Sequence, residues 1–238
     1  MLTRHRKITL ADTAPRCEIL INRQLYELKN IVKGKKVADI GCGDGRFRKI
    51  VEDAGGEWIG VEVAEDGKYK VRGDAQDLPF KDCSFDIVIM HSVLQYIPDV
   101  AGAISEVSRI LNKGGLFIGY AAFMEPFYSV TYSHLSFKAL EYFADINNMR
   151  LEKISGGRRF GIDFHFSVLF DPIKLSFLRG FIAFFIRSIM WIKARLLFIV
   201  LRLIYGEEKA EAKHEADLYF KVECLRVSVG FDFLMRKL

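Results

Sequence analysis

Hydrophobic and polar positions change period several times along the chain. Apolar residues recur at helical spacing over 18–32 and stop at Gly34, which predicts a helix there. Val37–Ile40 is a short apolar strand that runs into the turn Gly41-Cys42-Gly43-Asp44-Gly45. A helix is predicted over 46–53, closed by Gly55-Gly56, and strands over 57–63, 69–73 and 85–90. The pattern then predicts a helix over 100–111 ended at Asn112–Gly115, a strand over 116–122, a helix over 134–147 and a strand over 150–154. Period-2 alternation returns only in Leu218–Met235, read as closing strands. Strands that alternate with helices need crossover connections, so the expected fold is α/β with a parallel sheet covered on both faces.

Composition narrows the class. The 238 residues are 50% apolar and 27% charged, which suits a packed globular chain. The cysteines at 17, 42, 83 and 224 have neither zinc spacing nor disulfide-scaffold density, so a reducing, cytoplasmic setting and no metal are expected. The start, MLTRHRKITLADTAP, lacks the apolar stretch of a signal peptide. Net charge is +5, but between Asp171 and Glu207 there are six basic residues and no acid. Without those six, 29 basic residues face 30 acidic ones. The excess therefore sits in one apolar segment instead of a polar nucleic-acid groove, and no nucleic-acid partner is expected.

The glycine turn carries the chemistry. A strand that ends in glycines and feeds a helix lets a ligand approach the backbone and meet free amides. The turn reads G-x-G-x-G, with Arg46 where a dinucleotide fingerprint would have its third glycine. Asp39 precedes it, and Glu62 ends the second strand, where a carboxylate can accept both hydroxyls of a ribose.

Val37–Gly45 resembles the first motif of the class I S-adenosylmethionine-dependent methyltransferases. Gly73-Asp74-Ala75-Gln76-Asp77-Leu78-Pro79-Phe80, with Ser84-Phe85-Asp86 after it, and Glu106–Gly115 are similar to segments of their ubiquinone/menaquinone-methyltransferase-like branch (methyltransferase type 11). The resemblance covers about residues 35–123. It implies a Rossmann-like, doubly wound, seven-stranded sheet of order 3-2-1-4-5-7-6, last strand antiparallel, with a helical insert before that strand. It also implies S-adenosylmethionine as cofactor: Asp39 and the turn Gly41, Cys42, Gly43 and Gly45 hold its methionine end, and Glu62 its ribose. Asp74 and Ala75 read the adenine, and His91 lies beside the methionine moiety or the transferring methyl. Glu106 and Arg109 are expected to be a structural pair, and Asp77 and Asp86 loop or capping carboxylates.

No residue is singled out as catalytic; His91, Tyr96, His134 and His165 are the candidates should the acceptor need a base. No Asn-Pro-Pro-Tyr or Pro-Cys run appears, which argues against amino-methylating enzymes of that type and against cysteine-nucleophile cytosine methylation.

The chain divides into a core, 1–171, an apolar basic insert, 172–206, and a linker with the closing strand, 207–238. Of the 35 insert residues 24 are apolar. A membrane-crossing helix would bury Arg187, Lys193 and Arg195 at about 2.5–3.5 kcal/mol each, so crossing is disfavoured. As a surface helix, Arg179, Arg187, Arg195 and Arg202 occupy an arc of roughly 160° and leave a wide apolar face. Two readings follow: contact with an anionic membrane on its inner face, or a lid or homodimer contact. The expected activity is methyl transfer to a hydrophobic or lipid-linked small molecule. A polar acceptor (a sugar or protein side chain) and a non-catalytic cofactor-binding partner subunit are the alternatives.

Overall fold

The computed structural model describes residues 13–21, 24–63, 71–124, 130–156, 176–203 and 208–238. Its sheet has eight strands: β1 (Glu18–Ile21), β2 (Lys36–Ile40), β3 (Glu57–Glu62), β4 (Val71–Arg72), β5 (Phe85–His91), β6 (Leu111–Ala122), β7 (Met149–Gly156) and β8 (Gly230–Lys237). The helices are α1 (Leu28–Ile31), α2 (Arg48–Asp53), α3 (Val100–Ile110), α4 (Phe137–Ile146), α5 (Ser176–Leu203) and α6 (Lys209–Arg226).

Read across the sheet, the order is β4-β3-β2-β5-β6-β8-β7-β1. Seven of these strands reproduce the expected order, and β8 runs antiparallel to both its neighbours. The eighth strand is a correction. Residues 18–21 do not begin a helix; they pair in parallel with β7, Glu18 opposite Lys153 and Ile21 opposite Gly156. A local 3.6 period is a weak preference, and an open strand edge with unpaired backbone groups outweighs it. Arg16 pins the segment by ion pairs to Glu141 and Asp145 on α4. Only Leu28–Ile31 of the expected helix forms.

A second correction lies near the end. Residues 218–226 continue α6 and only Gly230–Lys237 is strand. Ala212 and Ala216, four apart, and Val222 and Leu225, three apart, are buried, both helical spacings. The expected turn at Asn112–Gly115 lies inside β6 as an irregularity. The ladder with β5 jumps from Phe85 opposite Leu111 to Ile87 opposite Leu116, with Gly114 at φ 77°.

Core side chains cover both faces. Val100, Ile104, Val107 and Ile110 of α3 pack on one, with Phe85, Val88 and Phe117. Val32, Val51 and Trp58 meet Ile87, Ile89 and Ile118 on the other. Capping fixes the helix starts: the Asp99 carboxylate accepts the Gly102 N–H at 3.0 Å, and the Ser136 hydroxyl the Ala139 N–H at 3.2 Å. Strands β2 and β5 are adjacent in the sheet, and connections run outward from them in both directions. Ligands of open α/β sheets sit at the carboxyl ends of such a pair.

Candidate active site

Two hollows open at that end, one on each side of the last residues of β5. The larger is a cleft of about 470 Å³ lined by Ile40, Gly41, Glu62, Asp74, Ala75 and Val93 among others. The glycine turn enters it through Gly41. Gly41, Gly43 and Gly45 have φ of 67°, 50° and 71°, the left-handed region where other residues are strained. At Gly41 a Cβ would stand 2.5 Å from a Val93 methyl, whereas at Gly43 nothing lies within 4 Å.

Glu62 stands over the turn. One carboxylate oxygen accepts the Gly43 N–H at 3.0 Å and the other accepts the Val63 N–H at 3.0 Å. An ionised carboxylate has about four acceptor sites, so each oxygen keeps capacity for a hydroxyl. At the other end of the cleft, Asp74 accepts the backbone N–H of Gln76 at 2.9 Å and its side-chain amide at 3.1 Å. Gln76 in turn accepts the Asp99 N–H at 3.0 Å, tying this loop to the start of α3.

Asp39 does not line the cleft. It lies beneath the turn, 2% exposed, and accepts the Trp58 indole N–H at 3.0 Å. Burial pushes its pKa up to about 6, while the Trp58 hydrogen bond and Arg46 pull the other way. Cys42 is buried too; burial, then the nearby Asp39 and Glu62, raises its thiol to about 12, so it is packing and not a nucleophile at neutral pH.

His91 faces the second hollow, of about 270 Å³, with Tyr26, Phe47, Ile89, Ile118 and Asp232. Its ring stacks on Tyr120 at 5.4 Å between centroids and lies 5.8 Å from Phe47. Burial, and then the positive charge of Arg46, lowers its pKa to about 4, so the imidazole is neutral at pH 7. Nδ1 of His91 lies 3.1 Å from the Ser92 hydroxyl, and Ser92 lines the cleft, so this pair links the two hollows. Asp232, on β8, has its pKa raised by burial. Burial, and then Asp232, raises that of Tyr26.

The turn glycines, Glu62, Asp74 and Ala75 are thus brought together, with Cys42 in the turn, Asp39 below it and His91 behind β5. Trp58, Val93 and Asp232 carried no signal in the sequence; each reaches the site only through the sheet. Of the other candidates, Tyr96 lines the cleft, His134 is bonded to the Phe123 carbonyl and the Thr131 hydroxyl at 3.1 Å each, and His165 lies outside the described residues. Glu106 and Arg109 pair at 2.7 Å. Arg109 also donates to the carbonyls of Leu78 and Phe80, and Glu106 accepts the Leu78 N–H, so the pair staples the loop after Asp74 to α3. Asp86 accepts the Lys36 N–H and an Asn112 amide, a structural role.

A family profile described as "Methyltransferase domain" matches residues 38–119. A demethylmenaquinone methyltransferase of Staphylococcus aureus is 35% identical over 102 residues, 36% of this chain and 42% of that protein. The chain therefore spans about two-fifths of the length of the curated relatives it matches. Two solved structures share the fold more widely. A provisionally assigned sarcosine dimethylglycine methyltransferase from Galdieria sulphuraria has a TM-score of 0.52 at 13% identity, covering 88% of this chain and 81% of that one. The [4+2]-cyclase SpnF has a TM-score of 0.53 at 14% identity, covering 94% and 87%. These two likenesses speak to fold alone, and fold does not fix the reaction.

The segment from β2 to β6 thus carries a methyltransferase-domain match on a sheet with the strand order expected of the class I, S-adenosylmethionine-dependent enzymes. The cleft suits that cofactor. It has the Gly41 backbone in its wall, a carboxylate with spare acceptor capacity at Glu62, and apolar walls at Ile40 and Val93 that lead to Asp74 and Ala75. Its volume falls within the roughly 300–1,000 Å³ of small-molecule sites.

Proposed function

We propose that the protein transfers a methyl group from S-adenosylmethionine to a hydrophobic small molecule. The observation that carries this reading is the Glu62 carboxylate at the cleft mouth, fixed by the Gly43 and Val63 amides. It would hold a ribose diol, Asp74 and the Ala75 backbone the base, and the Gly41–Gly45 turn with Asp39 beneath it the amino-acid end. The bound cofactor supplies an electrophilic sulfonium methyl, which needs only an aligned nucleophile in a water-poor site.

The hollow beside His91 is our candidate for the acceptor seat. Leu25, Leu28, Phe47, Ile89 and Ile118 make its walls apolar, and Tyr26, His91 and Asp232 are the polar groups. The neutral His91 imidazole has an acceptor lone pair and can take a hydrogen bond from a hydroxyl of the acceptor and so orient it, while burial makes it too weak a base to remove the proton. The apolar walls, and a relative named for a menaquinone precursor, support a hydrophobic acceptor over a sugar or a protein side chain.

The test uses S-adenosylmethionine labelled in its methyl group, mixed with the full chain and a lipid extract of its host. Label should enter the organic phase, and the Glu62→Ala variant should reduce it at least tenfold. Cofactor binding by calorimetry with no label in any fraction would replace this reading by that of a non-catalytic, cofactor-binding subunit.

A further inference from the structure

Among the described residues, the helix α5 is packed against the molecule along one side. Ile186 and Met190 pack on Phe220 and Cys224 of α6, and Ala194 is buried. Lys193 reaches the same partner, 3.1 Å from the Glu223 carboxylate and 5.7 Å from the Tyr219 ring. The opposite side is open. Phe181, Phe185, Ile192, Leu196, Ile199 and Leu203 are all exposed, from 47% at Ile199 to 79% at Leu203. At 100° per residue these six fall within about 60° of arc, and Ile189 and Val200 widen the apolar band to about 100°. No charged residue falls within it.

One flank is basic. Arg195 and Arg202 lie along one edge of the band, Lys193 on the other side is paired with Glu223 of α6, and α5 holds no acidic residue from Ser176 to Leu203. The band runs for about 33 Å, at 1.5 Å per residue from Phe181 to Leu203. Its open area is on the order of 800 Å², at roughly 150–200 Å² for a fully exposed large apolar side chain. That is more than the largest apolar patch on most monomers, about 300–600 Å².

We propose that α5 lies in the plane of an anionic lipid surface, with the Phe181–Leu203 band inserted among the acyl chains and Arg195 and Arg202 at the phosphates. Charge decides the partner. Two copies paired antiparallel along this band would bring the Arg195 and Arg202 edges together with no acid in the helix to meet them, whereas an anionic bilayer complements that edge. Among the described residues no helix is long and apolar enough to cross a membrane, so α5 lies on the surface.

The topology gives the contact a use. α5 and α6 lie in the chain between the end of β7 at Gly156 and the start of β8 at Gly230, and Gly156 pairs opposite Phe231. Both points are at the sheet end that bears the two hollows, so a helix resting on lipid would hold that end near the bilayer. This last step rests on the methyltransferase reading; lipid binding itself does not.

The full chain should float with vesicles of equal parts phosphatidylglycerol and phosphatidylcholine and much less with phosphatidylcholine alone. Salt should weaken binding as the Debye length falls from about 10 Å at 0.1 M to about 3 Å at 1 M. The double change Arg195→Gln and Arg202→Gln should lower partitioning about 25-fold, at about fivefold for each cation near the surface. Phe185→Asp with Leu196→Asp should abolish binding while leaving the far-UV circular dichroism unchanged, because both side chains are exposed. Equal binding to both vesicle types overturns the proposal. So does a dimer in sedimentation that the aspartate pair dissociates while vesicles bind nothing. Calorimetry with S-adenosylhomocysteine on the same variants separates the two readings: unchanged cofactor affinity without vesicle binding refutes the lipid surface alone.

Discussion

Replacing Gly41 by alanine probes the wall of the cleft. Two costs arise. At φ 67° a Cβ meets its own carbonyl, at about 1–2 kcal/mol. The new Cβ would also lie 2.5 Å and 2.9 Å from the two methyls of Val93. Valine is stiff about χ1, and turning it relieves one contact only by worsening the other, so the overpacking adds about 1–3 kcal/mol. Together these should lower the melting temperature by roughly 4–20 °C, at about 2–4 °C per kcal/mol for a chain of this size. Val93→Ala removes both methyls, so the Gly41→Ala, Val93→Ala double variant should recover the overpacking part and leave the backbone part. A double-mutant cycle by thermal or urea unfolding should give a favourable coupling of about 1–3 kcal/mol. Additive single and double variants, with coupling near zero, would refute the contact between the turn and Val93.

Three further outcomes are expected. Asp39 is raised to about 6 in the fold from an ordinary value near 3.8, so the unfolded chain ionises first as pH rises. Wild type should therefore gain stability relative to Asp39→Asn as pH falls from about 6 towards 4, by up to about 3 kcal/mol at 1.36 kcal/mol per unit, and a gap between the two urea midpoints that does not change with pH would contradict this. His91→Ala should raise the acceptor KM or lower kcat while S-adenosylhomocysteine affinity stays within about twofold, since His91 faces the second hollow; a tenfold loss in calorimetry would assign it to the cofactor cleft. Arg109→Lys should cost about 1–3 kcal/mol in chemical unfolding, because one ammonium cannot reach Glu106 and the Leu78 and Phe80 carbonyls in the same fork.

What could be read from the sequence was local. The glycine turn needs three positive φ values within five residues, and Glu62 ends a short strand after it, so spacing carried these, whereas Asp74 came from the family resemblance of its segment. The Glu106–Arg109 staple is a helical i,i+3 pair and was equally visible. Trp58 over Asp39, Val93 against Gly41 and Asp232 beside Tyr26 join residues from different strands or loops, and nothing near any of them in sequence marks the partner. Edge pairing with β7 likewise overrode the helical period at 18–21. The alternation in Leu218–Met235 misled because α6 also buries residues at short spacing; its contact with α5 and the sheet, not its local period, makes it a helix.

The antiparallel strand β8 also governs the order in which the molecule can be assembled. It lies between β6 and β7, pairing Leu116 with Arg236 and Met149 with Lys237. Every described strand except β8 leaves the ribosome before the insert, so β6 and β7 must wait across the synthesis of α5 and α6 with facing edges open. Closing loops of that length before any contact rewards them makes this the slow step. Until it happens, two strand edges and the apolar band of α5 are exposed together, the combination most prone to aggregate. Truncation before Gly230 should therefore yield insoluble chains even though the cofactor cleft, built from β2 to β5, is complete in them.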